Sequence, residues 1–457
     1  MKCFVARRLV IALCASGMLG LSPQVFASAF QLWEQDAASV GNYHAGYAAE
    51  ADNASIAFFN PAGITRFKNQ QISVGVVPIM SDFKYKGSVT VGNVLPAPLP
   101  SPSYTFNNVT AQGGQFSVVP NINYVAPIND WMGFGFTIDT PFGLKTNYGV
   151  STPMRYAATY TSITVIDLSP SLAAKYRNFS LGAGFDVQRA FGEFNKYSAV
   201  ATTLPSPAFD TFSNNSANDT AYGYHLGAMY EFDADTRIGA SYHSQVVHHL
   251  TGYSSFQGPI ALGLLKGAGN EIRSHAYTNI TLPPYTALSG YHRFQQAPWA
   301  IMGSIIYTQW STFKNLTLVG ASGAVPAPPP FLSAPSTDII ISIPENYHNT
   351  WNASIGADYF ATDDIKLRGG IGYDESPLND ADRNVQLPDN DRYTIALGGQ
   401  YKLNKAVSID VGWTHLFVKQ ARIAPPTLTT GSQTISTSGH SNGGADVYGA
   451  QLTWDII

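Results

Sequence analysis

Cysteine is absent from almost the whole chain, because Cys3 and Cys14 are its two cysteines and both fall within the first 27 residues. Residues 28–457 can therefore form neither a disulfide framework nor a thiolate metal site. Charged residues are also scarce, at 12% of the chain, against about 25% in an average soluble domain. After residue 27 there is no apolar run of the roughly 18 residues expected of a membrane helix. The sequence thus lacks both an ordinary soluble surface and a helical membrane span.

The first residues have the three-part plan of a secretory signal peptide. MKCFVARR carries Lys2, Arg7 and Arg8, the apolar stretch LVIALCASGMLGL follows, and Val25 and Ala27 satisfy the small-residue rule for cleavage. The apolar stretch is about 13 residues long, which is short of the roughly 20 that a membrane anchor needs. We therefore expect cleavage after Ala27.

Aromatic residues and glycine are abundant where charges are few. The chain has 25 Tyr, 25 Phe and 41 Gly, yet its mean hydropathy is only −0.04. A transmembrane β-barrel reconciles these values, because lipid-facing apolar residues alternate with small or polar residues that face the lumen. The net charge of −4, without basic runs, argues against nucleic-acid binding.

Strict alternation of apolar and polar residues marks several strands. It is clearest in FSLGAGFDVQ (179–188), IKLRGGIGYD (365–374) and AVSIDVGWTHLF (406–417). A period of two predicts a strand with one apolar face. A soluble sandwich would alternate too, but the lone charges on the polar face fit a wide polar lumen better. The short polar stretches PIND, KYRN, DADT, ATDD and KLNK predict periplasmic turns, and longer Pro- and Gly-rich connections predict outer loops.

The segment from Ser28 to Lys68, called here the N-terminal segment, lacks this alternation. It contains IAFFNPAGI, in which Asn60-Pro61-Ala62 interrupts an apolar run. Proline removes a backbone donor and Asn-Pro favours a turn, so this stretch is a poor central strand. A large barrel leaves an open lumen, so we interpret the N-terminal segment as a plug, with a periplasmic extension as the alternative.

Four stretches resemble the FadL family of long-chain fatty-acid transporters, found in the outer membrane of Gram-negative bacteria. They are SAFQLWEQ, FFNPAGI, VPNINYVAPINDWMGFG and DESPLNDADRNVQLPDNDRYTIALGGQYKLNKAVSIDVG. The resemblance implies an all-β fold, a transmembrane antiparallel β-barrel of about 14 strands. It also implies three parts: a signal peptide (1–27), a hatch (28–68) containing Asn60, Pro61 and Ala62, and a barrel with long outer loops (69–457).

The resemblance also implies functional positions. Pro141, Phe142 and Gly143 interrupt a strand, since proline is excluded from central strands and glycine often marks a kink. They would form the inward kink that opens a gap in the barrel wall, although an ordinary turn is the alternative from the residues alone. The ligand-binding candidates are Phe30, Lys196, His348, Ile260, Leu262, Leu264 and Leu265. His348 stands where the family has a lysine, which puts the charge of a head-group site in question.

The histidines and the short sequence motifs do not indicate a catalytic or metal-binding site. In SYHSQVVHHL, His243 and His249 would share a strand face at a distance, and His248 would point the other way, so we predict no metal site. The motif HExxH and phosphate-binding glycine loops are missing from the sequence. We predict neither enzymatic activity nor a cofactor.

The sequence therefore predicts an outer-membrane protein that imports hydrophobic molecules, fatty acids among them, without energy coupling. Expected partners are these small molecules together with outer-membrane lipid and lipopolysaccharide, but not nucleic acid, and we expect a monomer. The alternatives are a non-specific aqueous porin, an aromatic-hydrocarbon channel of the same family, and an outer-membrane enzyme that acts on lipid.

Overall fold

A computed structural model describes residues 29–199, 205–260, 271–328 and 333–456 of the chain. The signal peptide, Ser28 and three candidate residues (Leu262, Leu264 and Leu265) lie outside these ranges and stay predictions. Within the described ranges, no helix is long and apolar enough to span a lipid bilayer.

Short helices occur in the N-terminal segment and between strands. It contains one α-helical turn, α1 (Ile56–Phe59), and the 3₁₀ helices Ser39–Asn42 and Pro61–Arg66. Three further 3₁₀ helices lie between strands, at Pro153–Tyr156, Pro207–Phe209 and Trp310–Thr312.

All other regular structure in the described ranges is β. The strands are β1 (Gln70–Asn93), β2 (Ser103–Gln112), β3 (Phe116–Asn129), β4 (Met132–Asn147), β5 (Tyr160–Tyr176), β6 (Phe179–Ser198), β7 (Thr211–Glu231), β8 (Thr236–His243), β9 (Val246–Gln257), β10 (Glu271–Leu282), β11 (Tyr285–Arg293), β12 (Trp299–Thr308), β13 (Asn315–Pro326), β14 (Ser333–Pro344), β15 (Thr350–Phe360), β16 (Ile365–Asp374), β17 (Arg392–Lys402), β18 (Val407–Val418), β19 (Ala421–Ile423), β20 (Leu428–Thr430) and β21 (Gln433–Ile456).

These strands form a closed antiparallel barrel. Six strands of the wall are each interrupted once, so that two consecutive β elements share one position in the wall. These are β2 with β3, β8 with β9, β10 with β11, β12 with β13, β14 with β15, and β18 with β19. The described residues thus occupy fourteen wall positions, and β20 adds a short pairing to β21. β1 pairs with β21 from Gln70↔Ile456 to Asn93↔Gln433, which closes the ring. The fold predicted from the sequence is confirmed.

The alternation read from the sequence matches the two faces of the wall. In β6, Phe179 and Leu181 are 44% and 55% exposed on the outside, whereas Ser180 and Asp186 are buried on the lumen side. The five predicted turn stretches coincide with short strand connections at one end of the barrel, where β1 also begins and β21 ends. Long connections lie at the opposite end, which is the outer one in an outer-membrane barrel.

The N-terminal segment packs inside this ring, and nearly all of its described residues are buried. The 3₁₀ helix Pro61–Arg66 contacts β4, β5, β6 and β7, whereas Ser39–Asn42 contacts β16, β17, β18 and β21 on another part of the wall. An apolar cluster joins the segment, including Trp33, Phe58 and Phe59, to inward-facing residues of the strands. This contact with separate parts of the wall positions the candidate site above it.

Candidate functional site

Asn60 fixes the turn that breaks the apolar run. Its side chain is fully buried, and its Nδ2 donates to the carbonyls of Ala48, at 2.6 Å, and Ala228, at 3.0 Å. Its Oδ1 accepts from the backbone N–H of Ala62 at 3.1 Å, as an N-cap residue does. One amide therefore starts the 3₁₀ helix and attaches it to β7 of the wall.

Glycines in the wall allow the backbone at Pro61 to approach closely. A Cβ atom added at Gly182 would lie 2.8 Å from Cβ of Pro61, and one added at Gly227 would lie 2.8 Å from its Cδ. Real Cβ atoms do not approach so closely, so larger residues at these two positions would push the turn away from β6 and β7.

Charged side chains hold the N-terminal segment at the end with the short turns. Asp52 forms ion pairs with Lys366 and with Arg368 of β16, the latter at 2.8 Å. Burial alone would raise the pKa of Asp52, but the two cations outweigh it and lower that pKa. The guanidinium of Arg237 donates to the carbonyl of Glu50. These contacts attach the segment to the wall independently of its apolar surface.

The predicted kink lies where the strand pattern fails. All residues from Asp139 to Leu144 are buried, although the rest of β4 alternates. Pairing of β4 with β3 stops at Ile138, and its register with β5 shifts between Asp139 and Phe142. β4 therefore leaves the plane of the wall here, and its edge toward β3 is unpaired in the ladder.

The N-terminal segment occupies that unpaired edge. The N–H of Gly143 donates to the carbonyl of Phe30, and the N–H of Leu32 donates to the carbonyl of Pro141, both at 2.8 Å. The first residues of the segment thus take the place of β3 beside the kink. Displacing them would expose a strand edge, which readily pairs or is solvated.

An aromatic cluster surrounds Phe30. Its ring centroid lies 4.9 Å from Trp310, 5.7 Å from Phe313 and 6.0 Å from Phe142, and Tyr347 contacts both Trp310 and Phe313. Sequence reasoning identified Phe30 and Phe142 but missed the other three. They come from connections about 280 residues or more away, and no local pattern marks them.

Lys196 lies in a mostly apolar cavity of about 70 Å³ above this cluster. Its Nζ contacts the Thr430 hydroxyl at 3.2 Å, and it is the one charged side chain among the described residues that line the cavity. The apolar lining residues are Ala157, Phe194, Leu316, Leu318, Ile341, Ile343 and Leu428. The last two also line a groove of about 370 Å³ toward the outer end.

The structure does not bring the other two described candidates to this cavity. The His348 side chain is 49% exposed and lies 3.9 Å from Glu375. Ile260 is buried instead against Phe256 and Ala324. The positions of Lys196 and His348 therefore do not support a head-group site that contains both residues.

The expected faces of the three clustered histidines are wrong. Ser244 and Gln245 interrupt the wall strand between β8 and β9. This break shifts the alternation, so that His243 and His248 are buried and His249 is exposed. The period of the sequence alone does not show that two residues interrupt a strand.

Among the described residues, Asp186, His225 and His243 have potential metal-ligand atoms within 4.8 Å of one another. Nδ1 of His225 bonds Asp186 at 2.6 Å. The two imidazoles stack at 5.2 Å with 15° between planes, and Tyr285 stacks on His243 at 4.4 Å. Parallel rings do not converge on a common point, so this arrangement suits a hydrogen-bonded wall lining better than metal ligation.

The burial of Glu34 predicts that attachment of the N-terminal segment depends on pH. Burial raises the pKa of Glu34 to about 7, against the lowering effects of its hydrogen bond to the Trp33 N–H and of Arg392. A raised acid pKa favours the docked segment most below the unperturbed value of 4.5, and the advantage is lost as pH rises through about 7. We expect spontaneous channel opening, measured as planar-bilayer conductance, to rise between about pH 4.5 and 7 and to level off above that.

Glu34→Gln should shrink that rise, because glutamine stays uncharged at every pH. Glu271→Gln, at the exposed start of β10, is the matched control and should behave as the unmodified protein. An unchanged rise in Glu34→Gln would mean that this carboxyl does not govern docking.

Comparisons with known proteins agree with this architecture. The model of the family described as "Outer membrane protein transport protein (OMPP1/FadL/TodX)" matches residues 18–455. The long-chain fatty acid transport protein of Salmonella typhi is 28% identical over 423 residues, covering 88% of this chain and 90% of the relative.

Two solved structures share the fold. The crystal structure of a Pseudomonas aeruginosa FadL homologue has 24% identity and a TM-score of 0.77, covering 94% of this chain and 100% of that one. The Pseudomonas putida toluene transporter TodX has 16% identity and a TM-score of 0.66, with the same coverage of 94% and 100%.

Proposed function

Because the chain belongs to the OMPP1/FadL/TodX family of outer membrane transport proteins, we propose that it imports long-chain fatty acids passively across the outer membrane. Membership makes it a transporter of hydrophobic compounds rather than an enzyme. In the proposed route, the ligand enters the outer groove, moves to the Lys196 cavity, passes when the N-terminal segment shifts, and leaves sideways at the kink.

The position of Lys196 in a mostly apolar cavity is the observation that supports fatty acid as the substrate. A cation in an apolar cavity is costly unless an opposite charge accompanies it. Among the described residues no carboxylate forms an ion pair with Lys196, whose Nζ bonds only the neutral Thr430 hydroxyl. A fatty-acid carboxylate would supply the missing charge, and its chain would replace water along the apolar lining.

The lumen below Lys196 suits an acyl chain. The inward-facing residues of β6 from Lys196 downward are Phe194, Gly192 and Ala190, before the lining turns polar at Gln188. Six residues of strand span about 20 Å, which is comparable to a long extended acyl chain. This apolar lining leads to the cluster around Phe30 and Phe142.

The kink supports the last step of the proposed route. Its unpaired edge is covered by the backbone of Phe30 and Leu32, so movement of the N-terminal segment and opening of the wall would be coupled. Sideways release delivers an apolar molecule to lipid without passage through water, which an aqueous porin could not do.

Replacing Lys196 tests the substrate class. Lys196→Met keeps the length of the side chain and removes its charge, and a hydrogen bond to a charged group contributes about 1.5–3 kcal/mol. We expect fatty-acid affinity to fall roughly 10- to 150-fold and affinity for the methyl ester of the same acid to change little. Isothermal titration of the purified protein with both ligands would measure this.

Lys145→Met is the matched control, since Lys145 lies on β4 over the ring of Tyr160 and is not among the described residues that line the cavity. Equal loss of both ligands in Lys196→Met would show that Lys196 does not bind a carboxylate. An unmodified protein that fails to prefer the acid would refute fatty acid as the substrate.

Import of neutral aromatic hydrocarbons is the second candidate. The cluster of Phe30, Phe142, Trp310, Phe313 and Tyr347 favours it, because aromatic ligands gain from edge-to-face contacts with such rings. Lys196 would then be irrelevant to affinity, so the acid and ester pair distinguishes the two candidates.

A further inference from the structure

The outward face of the wall changes character sharply along β1. From the end with short turns, its outward residues are apolar from Ile72 to Met80, and Asp82, Lys84 and Lys86 follow. Eight residues of strand at a tilt of about 40° rise about 20 Å, which is close to the apolar band of an outer-membrane barrel. The two lysines therefore lie just above the hydrocarbon, at the head groups of the outer leaflet.

Strand register extends this basic position sideways. Lys86 of β1 pairs with His440 of β21, which pairs with Arg422 of β19. Lys84 lies one outward position below Lys86. Lys84, Lys86 and Arg422 are exposed and His440 is half-buried. These four residues, called here the basic patch, span roughly 10 Å by 7 Å of outer surface.

The cationic side chains of the basic patch are not ion-paired within the described residues, although Asp82 lies on the same face two residues from Lys84. No side-chain hydrogen bond or ion pair is formed by Lys84, Lys86, Arg422 or His440 within the described residues, although many other cations of the chain are paired. The nearest outward carboxylate along β1 is Asp82, which accepts a hydrogen bond from Gln112.

Like charges directly opposite each other on a sheet are destabilising. The sequence nevertheless places Lys86, His440 and Arg422 side by side across β1, β21 and β19. Polar side chains with hydrogen-bond donors flank them, namely Thr110 and Gln112 on β2 and Asn442 on β21. Such a surface is favourable when an external anion with several oxygen atoms lies on it.

We propose that the basic patch binds the phosphorylated sugar head group of lipopolysaccharide, the glycolipid of the outer leaflet. Its phosphate groups lie at the level of the patch, while its acyl chains would cover the apolar residues of β1 and β21 below. The inference rests on the outer-membrane location and not on which molecule is imported, so its test is independent of the uptake and ligand-binding experiments.

The test is native mass spectrometry of the full-length protein in detergent with three probes: bisphosphoryl lipid A, the same lipid A without phosphates, and phosphatidylglycerol. The triple variant Lys84→Gln, Lys86→Gln, Arg422→Gln should lose at least about 10-fold in affinity for bisphosphoryl lipid A, the effect of one charge-assisted hydrogen bond. Lipid A without phosphates should bind weakly to both proteins.

The control variant Lys68→Gln, Lys402→Gln, Lys405→Gln removes the same charge from exposed positions at the opposite end and should stay within about twofold of the unmodified protein. Heat-modifiable migration in gel electrophoresis establishes that each barrel is folded. Unchanged lipid A binding in the patch variant, equal loss in both triple variants, or phosphatidylglycerol binding as tight as that of lipid A would each overturn the proposal.

Discussion

Removal of residues 28–68 is expected to turn the closed barrel into a steadily conducting pore. The described part of this segment is almost wholly buried and contacts separate parts of the wall, so its loss would leave a wide polar lumen. Polar and charged side chains that now face the segment, such as Arg368 and Asp410, would then be exposed to water in the lumen. Single-channel conductance in planar bilayers should be large and continuous, against low or intermittent conductance in the intact protein.

A second variant keeps the segment and weakens its attachment. Asn60→Ala with Asp52→Asn removes the amide that joins β7 and the charge that pairs with β16. This protein should open intermittently, between the two extremes. Equal conductance of intact, weakened and truncated barrels, all folded by their heat-modifiable migration, would refute the role of the segment as a plug.

Straightening the kink should nearly abolish uptake and leave ligand binding intact. Pro141→Val adds a backbone donor on the unpaired edge of β4, and Gly143→Val adds a β-branched residue. One added backbone hydrogen bond contributes about 0.5–1.5 kcal/mol and the higher β-propensity about 1 kcal/mol. Together they would stabilise the closed wall and lower the population with an open wall gap roughly 10- to 70-fold. Uptake of a labelled fatty acid by cells that lack other such transporters would measure it.

Pro170→Val is the control for this change, because Pro170 lies in β5 opposite Phe136, where the pairing with β4 has no register shift. Its uptake should equal that of the unmodified protein. If the double variant binds fatty acid, is folded and still transports at the full rate, the stretch is an ordinary irregularity of β4 and the exit lies elsewhere.

Period and composition were enough to predict the wall. In β6, β16 and β18 the apolar face lies outside, and lone charges such as Asp186 and Asp410 lie inside, because a strand has only two faces and lipid selects one of them. The short turns could also be predicted, since they are polar and lie between stretches of alternating polarity. The irregular N-terminal segment was identified because it has neither pattern.

The interior could not be predicted in the same way. Trp310, Phe313 and Tyr347 approach Phe30 only because the ring closes, and their local sequence carries no period. The faces of His248 and His249 were assigned wrongly, because a break at Ser244–Gln245 reverses the alternation without changing composition. Lumen contacts depend on chain geometry over hundreds of residues, which a local pattern does not record.

The pairing of β1 with β21 also constrains how the protein is assembled. The two strands that seal the ring are the first and the last, so their contacts join residues more than 300 positions apart and must form late. The N-terminal segment precedes β1 and ends up enclosed. It therefore has to be in place before the final strand docks, or be threaded in afterwards from the end where β1 begins. In either route, the segment stays joined to the barrel at the end where β1 begins.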